Sequence, residues 1–93
     1  MIIHLDIVVF GRVQGVFFRA STKAVADQLG INGTIRNLDD GSVFIEAEAD
    51  KWRLDQFLDW CNEGPEKAII EKVDQRESQL RNYRNFEIIK RKK

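Results

Sequence analysis

The sequence predicts an α+β fold, a two-layer sandwich of βαββαβ order with one further C-terminal strand. Two segments repeat apolar residues at helical spacing, each along a single stripe. The segments between and around them alternate, with one strongly apolar face. Two single-striped helices and a one-faced sheet bury their apolar surfaces best when both helices pack on one side of an antiparallel sheet.

Residues 3–10 alternate, with Ile3, Leu5, Ile7 and Val9 on one face and His4, Asp6, Val8 and Phe10 on the other, the pattern of a strand. Gly11 and Gly15 bracket a tight turn. A helix then begins near Phe18, carries Phe18, Thr22, Val25 and Leu29 at helical spacing, and stops at Gly30. Ile31, Gly33 and Ile35 open a second strand. Asp39-Asp40-Gly41 marks a hairpin, and Val43, Ile45, Ala47 and Ala49 form the inner face of the returning strand. Asp50 is a suitable N-cap for a second helix striped by Leu54, Phe57, Leu58 and Cys61, which ends at Gly64-Pro65. A strand from Ile69 to Arg76, a polar loop, and a last strand around Phe86–Ile89 follow.

The 93 residues suit one domain with a single core, residues 1–93. The formal net charge is zero, so bulk electrostatics favour neither nucleic acid nor a membrane surface as partner. Lys90, Arg91, Lys92 and Lys93 supply four of the 15 basic residues, leaving 11 against 15 acids elsewhere. The basic run reads as a solvated terminus. A single cysteine, Cys61, allows no internal disulfide and no cysteine metal cluster. His4 and Asp6 interrupt the apolar opening, so it is not a secretory signal. No apolar run approaches the roughly 20 residues that span a bilayer. A cytoplasmic monomer is expected.

The stretch Gly11-Arg12-Val13-Gln14-Gly15-Val16-Phe17-Phe18-Arg19 has the makings of an anion site. Glycines let main-chain N–H groups turn inward, and the following helix adds unpaired first-turn N–H groups and the positive end of its dipole. Arg19 can close the cradle with a bidentate grip on a phosphate. No acid falls between Asp6 and Asp27, whereas Arg12, Arg19 and Lys23 do. The stretch is neither a Walker A loop nor a dinucleotide fingerprint.

Other residues read more plainly. His4 is about 23 Å from the loop at ~3.3 Å per strand residue, too distant for a base there, and is structural or solvent-facing. Cys61 is a packing residue on its helix stripe. Trp52 and Trp60 pack on or edge the core. Asp39 and Asp40 form the turn, since carboxylates beside a phosphate repel it. Asn37 ends the second strand, where an antiparallel sheet can set its amide beside the first loop to orient a water.

Together, Gly11 to Arg19 and Gly33-Thr34-Ile35-Arg36-Asn37 about eighteen residues after Gly15, followed by Asp40-Gly41-Ser42-Val43, resemble the acylphosphatase family. The resemblance covers essentially the whole chain. It implies a ferredoxin-like sandwich that hydrolyses the carboxyl–phosphate bond of acyl phosphates with no metal or other cofactor. It matches Arg19 to the phosphate-binding arginine and Asn37 to the water-orienting asparagine. The main-chain N–H groups of Gln14, Gly15, Val16, Phe17, Phe18 and Arg19 match the phosphate cradle. Thr34 stands where the family usually carries tryptophan, a change expected to alter packing beside the site. The ending Phe86-Glu87-Ile88-Ile89-Lys90 also departs from the family's basic-aromatic one.

Three rival readings differ in observable ways. An RNA-recognition domain shares the element order but needs a basic, glycine-aromatic third strand, and Gly41-Ser42-Val43-Phe44-Ile45-Glu46 offers one aromatic and an acid. The front domain of hydrogenase-maturation carbamoyltransferases typically has proline after the arginine, where this chain has Ala20. A non-catalytic anion-binding regulatory module on the same fold is the alternative that a turnover assay separates.

Overall fold

The computed structural model describes residues 1–90, so the reading of Arg91–Lys93 as a solvated tail lies outside the described residues. The elements are β1 (Ile3–Arg12), α1 (Phe18–Leu29), β2 (Asn32–Asn37), β3 (Val43–Ala49), α2 (Lys51–Glu63), β4 (Ile69–Ser78) and β5 (Phe86–Ile88). They form one five-stranded sheet in the order β4-β1-β3-β2-β5. Along β4-β1-β3-β2 each strand runs antiparallel to its neighbour, as the alternation predicts. The added β5 runs parallel to β2, pairing Gly33 with Phe86 and Ile35 with Ile88.

Alternation becomes layering. Ile7, Val9, Val43, Ile45 and Ala47 are fully buried beneath the helices, joined by Leu54, Phe57 and Cys61 of α2 and Phe18 and Ala26 of α1. Burial of each large side chain contributes about 1.5–3 kcal/mol. Burial also fixes the register, because a one-residue slip would turn every one of these groups to the open face. On α1 the fully buried stripe is Phe18, Thr22 and Ala26, with Val25 and Leu29 packed at its edge. Trp60 packs on Phe18 with ring centroids 5.6 Å apart, whereas Trp52 is 69% exposed and does not edge the core.

Helix ends follow local chemistry. The Asp50 side chain accepts the Arg53 N–H at 3.0 Å and caps α2. Gly30 turns left-handed at φ 73° and closes α1.

β1 continues through Gly11 to Arg12, two residues past the expected strand end at Phe10 and into the expected turn. Its register against β4 shifts between Phe10 and Gly11. Gly11, at φ 131°, is a bulge residue whose added Cβ would collide with the Ile69 carbonyl oxygen. The bulge sends β1 into the loop that precedes α1.

Candidate active site

The loop after β1 is held from beneath and from one side. Val13 is buried and anchors its start. The Gln14 amide donates to two carbonyls of the β2–β3 hairpin, Leu38 O and Ser42 O, both at 2.8 Å. One side chain thus sets the distance between the loop and the end of β2. The sequence places Gln14 in the cradle through its main chain; its side-chain role is a tertiary fact without a local signal.

Gly15 lies at φ 73° and Phe17 at φ 61°, with Val16 between them at negative φ. Alternation of backbone hand makes a concave run of N–H groups, and it ends at the N-terminus of α1. The Phe17 carbonyl accepts the Ser21 N–H at 3.0 Å, so Phe17 is the N-cap residue, and no acid occupies the first turn of α1. A bulky residue in the left-handed region is strained. The Phe17 side chain is nevertheless 78% exposed and its backbone is pinned as the helix entry. No Cβ contact restrains Gly15, whose substitution would meet only the torsional cost of its positive φ.

Arg19, on the first turn of α1, is half-buried. Asn37 closes β2 on the same sheet face as buried Ile35, beneath the helices, two residues apart by strand parity. Two adjoining cavities of about 330 and 400 Å³ both take Arg19, Asn37 and Lys90 as walls. The first adds Val13, Gly15, Phe17 and Phe18, and the second adds Gln14 and Asp39. The Asn37 Oδ1 is buried and has no hydrogen-bond partner among the described residues. A buried acceptor of this kind is matched by an O–H or N–H donor entering the cavity.

The structure therefore brings together Arg19 and Asn37, 18 positions apart in sequence, with the loop from Gln14 to Phe18 beside them. Val16 is the one expected cradle residue that does not line either cavity; it is half-buried against the core. Arg12 is exposed and lines neither cavity. Lys23 reaches instead to the Phe86 carbonyl at 2.8 Å and to Asp27 at 3.2 Å, tying α1 to β5. The cationic partner of Arg19 is Lys90, which the sequence groups with the basic tail. The parallel β5 carries it to the cavity, and no sequence signal marks β5 as parallel. Thr34 does not lie beside the site: it faces the other side of the sheet and donates to Glu46 at 2.9 Å.

The hairpin that bears Asn37 has its own lock. The Asp40 Oδ1 accepts from the Ser42 hydroxyl at 2.5 Å and the Ser42 N–H at 2.9 Å. The hydroxyl bond first, and the N–H second, hold the Asp40 carboxyl below its ordinary 3.8. Asp40 thus shapes the turn, as the Asp-Gly pair predicts.

The chain as a whole is similar to known proteins. The pattern describing the acylphosphatase family matches residues 5–88. An acylphosphatase of Acaryochloris marina is 44% identical over 96% of both chains, and one of Archaeoglobus fulgidus is 43% identical over 92% of this chain and 97% of its own. The crystal structure of acylphosphatase from Bacillus subtilis superposes with a TM-score of 0.91 at 33% identity, covering 96% of this chain and 99% of that one. With the loop, the arginine and the asparagine in one cavity and the likeness running through the sheet and both helices, the chain belongs to the acylphosphatase family.

Proposed function

We propose that this protein is a metal-independent acylphosphatase, hydrolysing small acyl phosphates to a carboxylate and inorganic phosphate. The observation that carries the reading is the convergence of Arg19 and Asn37 on one cavity at the N-terminus of α1. In this reading the main-chain N–H groups of residues 14–19 and the Arg19 guanidinium bind the phosphoryl oxygens, where transition-state charge is concentrated. The Asn37 Oδ1 accepts a hydrogen bond from water and aims its oxygen at phosphorus, opposite the acyl oxygen. The new P–O bond forms as the bond to the acyl oxygen breaks, and the carboxylate leaves with that bonding pair. The proton of the water passes to a phosphate oxygen.

A carboxylate is a good leaving group, so the site needs no strong general acid. Among the described residues lining the two cavities, Asp39 is the one carboxylate and none is histidine or cysteine, so the walls offer neither a metal-ligand set nor a thiol or imidazole nucleophile. Phosphate monoesters, with alkoxide leaving groups, fit such a site poorly. The reading extends to action as a monomer. A lone buried thiol needs no oxidising compartment, which supports a cytoplasmic setting. Among the described residues, no helix is long and apolar enough to cross a membrane.

The test is release of phosphate from benzoyl phosphate with and without chelator. Turnover that survives chelation supports the reading. Phosphate binding without turnover would favour a regulatory module, and chelator-sensitive turnover restored by a divalent cation would overturn the mechanism.

A further inference from the structure

The sheet face away from the helices carries a second polar constellation that shares no wall residue with the two cavities above. His4 of β1 is completely buried there. Its Nδ1 lies 2.7 Å from Glu48 Oε2. The Glu48 carboxylate also accepts the N–H groups of Arg81, at 2.6 Å, and Tyr83, at 3.0 Å. An ionised carboxylate can only accept, so Nδ1 carries a hydrogen, and in the neutral ring Nε2 is left with its lone pair. The remaining ring nitrogen, Nε2, faces Asp6 Oδ1 at 2.8 Å and Glu46 Oε2 at 3.8 Å.

Three electron-rich atoms, Nε2, Asp6 Oδ1 and Glu46 Oε2, thus converge within 4.8 Å of one another. A proton on Nε2 can satisfy one of the two carboxylates. A metal ion satisfies both. Tetrahedral zinc, with bonds of about 2.0–2.2 Å, sets its ligands about 3.3 Å apart, so Asp6 would open slightly from Nε2, Glu46 would close slightly on it, and the two carboxylates would draw together from within 4.8 Å. A ligating histidine whose other nitrogen donates to a fixed carboxylate is the usual orienting arrangement around such ions.

Charge points the same way. The carboxylates of Asp6, Glu46, Glu48 and Glu87 outnumber the guanidinium groups of Arg36 and Arg81, and Arg81, 3.4 Å from Glu46 Oε2, is on a side chain 60% exposed and able to swing away. Asp6, Glu46, Arg81 and Tyr83 wall a cavity of about 430 Å³ that gives an entry path. Glu46 is steadied by the hydroxyls of Tyr83, at 2.6 Å, and Thr34, at 2.9 Å.

We propose that His4, Asp6 and Glu46 form a site for a first-row divalent transition-metal ion, with Glu48 as the positioning carboxylate behind His4. One imidazole and two carboxylates suit zinc better than magnesium or calcium, which prefer all-oxygen sets. The ion is structural: it ties β1 to β3 beside the segment that Glu48 clamps at Arg81 and Tyr83, and it takes no part in hydrolysis.

The experiment is calorimetric titration of the full chain with zinc chloride near about pH 8, because ligand deprotonation strengthens binding, with melting curves in zinc and in chelator. One equivalent of zinc should bind and raise the Tm, while hydrolysis of benzoyl phosphate is unchanged. Asp6→Asn and Glu46→Gln should each weaken binding at least about tenfold, and Glu48→Gln about 10–100-fold. Glu87→Gln, a carboxylate on the wall of the same cavity, should bind as the parent does. His4 is fully buried and its variants are prone to misfold, so the two carboxylate variants, checked by circular dichroism, are decisive. Absence of saturable binding, or parental affinity in both Asp6→Asn and Glu46→Gln, would overturn the proposal.

Discussion

Arg19 and Asn37 wall the same two cavities and should fail differently. Arg19→Ala removes charge-assisted hydrogen bonds, so it should weaken inhibition by inorganic phosphate as well as turnover. Asn37→Ala should leave phosphate affinity near the parent value while lowering kcat on the order of 10²–10³, the scale of one positioned polar group. Phosphate inhibition constants for both variants, with the exposed Arg12→Ala as control, separate the two roles; equal losses of affinity would merge them. Gly15 tests the main chain itself. Its φ of 73° disfavours a Cβ by about 1 kcal/mol, yet nothing lies within 4 Å of that position. Gly15→Ala should therefore shift the Tm little and reduce activity much more, through movement of the loop. Full activity would mean that this backbone does not hold phosphate.

At the scale of elements, the site exists because a loop and a hairpin from different parts of the chain are fastened together. Gln14 is the fastener, with both contacts at 2.8 Å. Gln14→Ala removes the loop's hold on Leu38 O and Ser42 O, which keep their main-chain donors from Gly41 and Leu38, and so frees the loop from the hairpin. The expected result is a loss of kcat of about tenfold or more, consistent with the sensitivity of in-line attack to small misplacements, with elements and core intact by circular dichroism. The hairpin turn supplies a pH dependence. The Asp40 carboxyl is held below its ordinary 3.8 when folded. The unfolded chain binds that proton more readily, so Asp40 contributes stability above the unfolded value and loses it as pH falls through the lower folded value. Asp40→Asn should flatten this part of the acid limb in melting curves recorded between about pH 5 and pH 2. An unchanged acid limb would remove Asp40 from the account.

At the scale of the molecule, one core lies between the helices and the sheet, and Cys61 is a probe placed inside it. Burial alone pushes its thiol up to about 12. The native protein should react with a thiol reagent only as fast as it opens, so labelling rates should track global unfolding in denaturant rather than thiol exposure in the native state. Rapid labelling of the native chain would show that α2 opens locally. The elements and most of this core are legible in the alternation of β1 and β3, the stripes of the helices, the Asp50 cap and the glycine stops, because they follow from local dihedral preference and periodic burial. The loop Gly11–Arg19 and the Gly33–Asn37 segment likewise identify the candidate site. Local sequence does not reveal the bulge at Gly11, the parallel pairing of β5 that brings Lys90 to the cavity, the Gln14 bridge, or the burial of His4 among Asp6, Glu46 and Glu48. Each depends on which strand lies beside which. The sequence by itself determined the layers and the chemical groups of the candidate site; strand order decided the distances between them, since residues remote along the chain meet only once the sheet has paired.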